Sequence, residues 1–159
     1  MESSISSANS AAKQASDQFS TFFVAGRFLG VNVLHVQEVL CAQPMTRVPQ
    51  APEVIEGLIN LRGQIVTAID MRKRLQLPPR GSDASPMNIV INTSDGAVSL
   101  LVDEIGDVMQ MDASSYERPP DNLNPCAREI VCGVYKLKDR LLLVLDEERT
   151  ADTSLVKAS

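Results

Sequence analysis

The chain has 159 residues, 44% of them hydrophobic but only 4% aromatic, with no Trp and a formal net charge of -5. That apolar content supports a packed core and excludes a disordered polymer. The net acidity argues against nucleic acid and anionic lipid, since both need a basic face.

The first residues, "MESSISSANSAAKQASDQ", are rich in Ser and Ala and lack both a basic start and an apolar central run. They predict a disordered tail over residues 1–18 rather than a signal peptide. "FSTFFVAGRFLGVNVLHVQEVL", from Phe19 to Leu40, predicts two strands around a turn at Gly26-Arg27. His35, the chain's single histidine, falls in a β run with no Ser or Cys motif near it and is expected to be an ordinary strand residue. "APEVIEG" predicts a turn or two of helix, because Pro52 suits a first helical position.

"GLINLRGQIVTAID", from Gly57 to Asp70, predicts a hairpin whose tip is Arg62-Gly63. "MRKRLQL" then predicts a short helix, and the Pro/Gly/Ser-rich stretch over residues 76–86 a connector. "MNIVINTSDGAVSLLVDEIGDV" predicts two strands around Ser94-Asp95-Gly96. A last hairpin, "GVYKLKDRLLLVLD", runs from Gly133 to Asp146, and residues 149–159 are expected to be a C-terminal tail. Ile59, Leu61, Ile65, Ile69, Leu141, Leu143 and Leu145 alternate along these strands and are the expected core. The protein reads as mostly β with few short helices.

The two halves resemble each other. Gly57 falls on Gly133, Leu61 on Leu137 and Asp70 on Asp146, 76 positions apart. Upstream, "VQEV" at Val36–Val39 falls on "VDEI" at Val102–Ile105, 66 positions apart. The second half thus carries about ten extra residues, placed in residues 112–129. Each half is too small for a large core of its own, so an apolar seam between two closed β modules is expected.

Catalytic motifs are absent: no G-x-S-x-G, H-E-x-x-H, P-loop or dinucleotide fingerprint occurs. Cys41, Cys126 and Cys132 form no CxxC pair and read as small apolar fillers. Asp103/Glu104 and Glu147/Glu148 lie at strand ends, where solvated capping is the expected role. Neither metal nor cofactor is implied. Arg62 leaves two readings open. Lys138-Asp139 closes the second hairpin without an arginine, so Arg62 is either a solvated tip or a planar donor fork presented to an acidic or carbonyl-rich partner.

"VQEVL", "TRVPQAPEVIEGLINLRGQIVTAIDMRKRL", "IVINTSDGAVSLLVDEIGDV" and "VCGVYKLKDRLLLVLDEE" closely resemble the CheW family over residues 19–148. The resemblance implies two SH3-like five-stranded β-barrel subdomains around a shared apolar core. The first would span about residues 19–76 and the second 87–148, joined over 76–86. It implies no catalysis and no cofactor, but a cytoplasmic adaptor recruited to chemoreceptor arrays at the inner membrane without inserting in it. The implied partners are the regulatory domain of the histidine kinase CheA, the helical hairpin tip of chemoreceptors, and other CheW-like domains. Nucleic acid is not among them.

By the same resemblance, Arg62 with Asn60 and Gly63 is a partner-binding turn, and Val36 and Glu38 line a receptor groove. Gly57 and Val108 match sensitive family positions, and Val102 joins Val36 and Val108 as the apolar floor. The chain departs from the family's pattern at Thr67, where Pro is frequent, and at Ser99, where Gly is. A competing or inhibitory adaptor, or a hydrolase or nucleic-acid binder on an SH3-like fold, are the alternatives.

Overall fold

The computed structural model describes residues 18–81 and 84–153. The expected N-terminal tail lies outside the described residues except for Gln18, as do residues 154–159.

Strands β1 (Gln18–Val24) and β2 (Arg27–Asn32) meet at a two-residue turn, Ala25-Gly26, in which both residues have positive φ, 50° and 82°. That turn type matches the right-handed twist of the strands it joins. A 3-10 turn at Val33–His35 follows, capped by Asn32, whose side chain accepts from the Leu34 N–H at 2.9 Å. Then comes β3 (Val36–Leu40). The region expected to be two strands is therefore three, and His35 sits in the turn between two of them rather than in a strand.

No helix forms over residues 51–57. The chain turns and enters β4 (Ile55–Leu61), because Ile55 pairs with Ile69 of β5 (Gln64–Asp70). Cross-strand pairing outweighs the local helix-start signal of Pro52. Helix α1 (Met71–Arg74) forms where expected, with Asp70 as its cap.

β6 (Met87–Thr93), β7 (Gly96–Val102) and β8 (Glu104–Gln110) follow. After them come β9 (Tyr116–Glu117) and helix α2 (Pro125–Ile130), with Asn124 as N-cap and Pro125 at the first position. β10 (Val131–Lys136) and β11 (Leu141–Leu145) close the sheet set. Asp146 then caps α3 (Glu147–Ala151) just as Asp70 caps α1. Residues 149–151 thus belong to a helix with Thr150 buried, not to a tail.

One sheet has the order β8-β1-β2-β11-β10-β9 and the other β3-β6-β7-β5-β4. Their registers repeat. Ile105 opposes Phe22 as Val36 opposes Ile91. Leu143 lies beside Leu29 as Thr67 lies beside Val98, and Gly133 opposes Val144 as Gly57 opposes Ala68. The sequence repeat is therefore real, but the leading hairpin of each repeat is exchanged. β1–β2 completes the module of β8, β10 and β11, while β6–β7 completes that of β3, β4 and β5.

The expected boundary at residues 76–86 separates the sequence repeats but not the modules. A hairpin's internal register is set within itself, and equivalent outer edges let it pair with either module. The repeat match upstream also slips: the counterpart of Val36 is Ile105, not Val102, so the offset there is 69 and the second half is longer by seven residues rather than ten.

Packing follows three layers. Phe19, Phe28, Tyr135, Leu142 and Val144 fill one module, and Ile59, Leu61, Val66, Ala68 and Val90 the other. Between them lies the largest cluster, including Phe22, Leu29, Ile69, Ile91, Leu100, Val102, Leu143 and Leu145. This is the shared seam. Ile65 and Leu141 do not join it: they are 60% and 37% exposed. Each shares its strand face with seam residues but sits at the hairpin end, beyond the facing module.

Segment 76–86 is not a free connector either. Arg72 Nη1 donates to the Pro78 and Pro79 carbonyls, and Arg80 Nε donates to Asp103 Oδ1 at 3.1 Å.

Candidate functional site

The hairpin β4–β5 builds the site. Arg62 and Gly63 take φ values of 50° and 89°, the paired positive values of a tight two-residue turn. The Asn60 side chain accepts from the Gly63 N–H at 2.9 Å and braces the tip. On that brace the Arg62 side chain stands 71% exposed.

Arg62 Nη2 donates to Glu38 Oε2 on β3. β3 and β4 are the first and last strands of their sheet's order, so this ion pair reaches from one edge strand to the hairpin of the other. The Arg62 hydrogen bond holds the Glu38 carboxyl below the usual carboxylate range, against the opposing effect of desolvation. The pair stays charged at neutral pH, and an arginine has five donors, so most of the fork remains available.

Glu38, Asn60, Arg62 and Gly63 are thus brought together at one place. Val36 is half-buried on the same strand as Glu38 and packs against the seam. Val108 lies on β8 of the other sheet, 61% exposed, at the position equivalent to Val39, itself 40% exposed. Val102 is corrected: it is wholly buried in the seam and offers no surface to a partner. Gly57 is likewise buried, and a Cβ there would lie 2.8 Å from the Thr46 carbonyl oxygen. Its requirement is close approach of backbone, not partner contact.

The side chain of Ile65, opposite Asn60 on the same hairpin, is exposed although its alternation points to the core. Its signal was position, two residues beyond the turn, rather than parity.

Other expectations change as well. Asp103 is no solvated cap. It accepts from Arg72 at 2.6 Å, from Arg80 at 3.1 Å and from the Ala25 N–H at 2.7 Å, tying the β1–β2 turn, α1 and segment 76–86 together. Burial raises its pKa, but these three donors prevail and hold it below the ordinary value. Glu148 accepts from the Ser94 N–H and hydroxyl, and Glu147 lies 3.3 Å from His35. Cys41 and Cys132 are exposed and only Cys126 is partly buried, so two of the three thiols are not fillers.

Thr67 lies in β5, bonded on both sides by β4 and β7, where a proline would forfeit a ladder donor. Ser99 is buried and donates to Asn88 at 2.8 Å, giving its hydroxyl a partner that glycine would not have.

No helix of the described residues is long and apolar enough to cross a membrane. A family profile described as "CheW-like domain" matches residues 18–154. The chain is 33% identical to Chemotaxis protein CheW of Bacillus subtilis over 131 residues, covering 82% of this chain and 84% of the relative. It is 30% identical to Chemotaxis protein CheW of Klebsiella aerogenes over 139 residues, covering 87% and 84%. The crystal structure of scaffolding protein TtCheW from Thermoanaerobacter tengcongensis superposes with a TM-score of 0.74 at 30% identity, covering 82% of this chain and 88% of that one.

Proposed function

The chain belongs to the CheW family, and from that premise we propose that it is a non-catalytic adaptor joining chemoreceptors to the regulatory domain of the kinase CheA. The observation that carries the reading is Arg62: a charged fork on a turn braced by Asn60 and Gly63, paired to Glu38 yet largely open to solvent. The fold does not require it, because Lys138-Asp139 occupies the equivalent tip of the second hairpin. A rigid donor held in place this way loses little side-chain freedom on binding.

A receptor tip is an amphipathic helical hairpin, and helices of that kind dock by laying apolar side chains in a groove. Val36 and the exposed Val108 are the apolar contacts retained in this reading, each contributing on the order of 1–2 kcal/mol. Such a site is modest alone. Holding kinase and receptor together raises effective concentration, so modest contacts suffice in an array.

Co-sedimentation with receptor-bearing membranes and purified kinase tests the proposal. The protein is expected to pellet with receptors, to carry the kinase down with it, and to raise kinase activity. Pelleting with receptors while excluding the kinase would instead mark a competing adaptor. Failure to bind either partner would overturn the reading.

A further inference from the structure

None of the residues assigned to partner binding lines a cavity of about 400 Å³ in the six-stranded module. That volume falls within the ~300–1,000 Å³ of small-molecule sites. Of its aromatic lining residues Tyr116 is 43% exposed, and Phe19 and Tyr135, 3% and 1% exposed, pack behind it. The whole chain has only four Phe and two Tyr, so both tyrosines are at this one place. The rings form a tilted chain, with centroids 5.5 Å apart for Phe19 and Tyr135 and 5.2 Å for Tyr116 and Tyr135.

The polar side of the cavity is acidic. Asp146 and Glu147 line it together with His35, and among the described residues no Lys or Arg does. Asp146 uses Oδ1 to cap α3, accepting from the Arg149 N–H at 3.0 Å. Glu147 Oε1 lies 3.3 Å from His35 Nε2, whose side chain is 42% exposed. Tyr116 donates its hydroxyl to the Cys132 carbonyl at 2.9 Å, which seats the phenol along the cavity wall. Burial chiefly, with a smaller push from the Asp146 charge, keeps that phenol protonated.

We propose that this cavity binds a small organic ammonium, with its apolar body against the exposed ring of Tyr116 and its charged head at Asp146 and Glu147. Aromatic faces attract a cation through their quadrupole, and two carboxylates select the same charge. An anion of equal size would meet both carboxylates, with only His35, already paired to Glu147, to offset them. The inference does not rest on the adaptor reading, since it needs only the cavity. A head group at Glu147 would also compete with His35, the residue immediately before β3.

Three probes with one ring and three charges test this: phenethylamine, 2-phenylethanol and phenylacetate, each titrated into the isotope-labelled full chain by NMR. Phenethylamine is expected to shift the amides of residues 116, 135 and 147 and to bind at least ~10-fold more tightly than the other two. Glu147→Gln and Tyr116→Leu are each expected to weaken it by about 3-fold or more. If either variant loses its dispersed spectrum, the charge series on the unaltered chain still decides. Equal affinity for the alcohol or the carboxylate would overturn the proposal. So would shifts centred elsewhere, or no saturable binding of phenethylamine below ~10 mM.

Discussion

Gly57 and Gly133 stand at the same point of the two modules, and neither has room for a methyl group. A Cβ on Gly57 would lie 2.8 Å from the Thr46 carbonyl, and one on Gly133 2.1 Å from the ring of Tyr116. The two obstacles differ in kind. Thr46 is paired backbone, bridged to Leu58, whereas Tyr116 can swing. Gly57→Ala is therefore expected to lose about 1–3 kcal/mol by overpacking, and Gly133→Ala less. Urea unfolding of both variants checks the order.

Asp103 predicts a pH dependence. Its folded pKa lies below its unfolded one, so its contribution is fully present above the ordinary aspartate value and is lost as pH falls through the folded value. Stability should decline as pH falls below about 4, and less steeply in Asp103→Asn than in the unaltered chain. Asp103→Ala, which leaves Arg72 and Arg80 without their shared carboxylate, should cost on the order of 3 kcal/mol at neutral pH. Urea midpoints measured across the acid range give both results.

The exchanged hairpins make a split chain informative. A fragment of residues 1–81 lacks β6 and β7, which lie between β3 and β5 in the sheet order. Neither it nor the remaining fragment should fold alone, because each would expose the seam and unpaired strand edges. Mixed, they should regain the β spectrum of the intact chain. A folded isolated half in circular dichroism would contradict the topology.

Residues of equal parity on one strand should behave differently. Ile69→Ala and Leu145→Ala empty positions in the seam and should each cost about 2–4 kcal/mol. Ile65→Ser and Leu141→Ser alter exposed hairpin flanks and should change stability by no more than about 0.5 kcal/mol. Thermal melts of the four variants separate the two classes.

Those same residues show what could be read before the structure. Alternation placed Ile59, Leu61, Ile69, Leu143 and Leu145 inside because period two is a local property of a strand. It failed at Ile65 and Leu141, where burial depends on how far the other module reaches. The Asp70 and Asp146 matches were legible as a repeat, but their shared role as helix caps was not drawn from them. The hairpin exchange left no local mark, since equivalent registers allow either pairing. In the site, the Arg62-Gly63 tip was legible from turn chemistry. Its pairing with Glu38, 24 residues away, is a product of how the two edge strands meet.

Arg62 also carries the most direct test. Arg62→Ala should melt within about 2 °C of the unaltered protein, since the side chain is exposed and the Asn60–Gly63 brace remains. The decisive measurement is titration of that variant against a receptor-tip fragment and against the kinase regulatory domain, separately. The account predicts a loss of about 10-fold or more for at least one partner, with Arg62→Lys restoring only part because a point charge cannot replace the fork. Unchanged affinity for both partners, with receptor control of the kinase intact, would contradict it and make Arg62 a solvated tip.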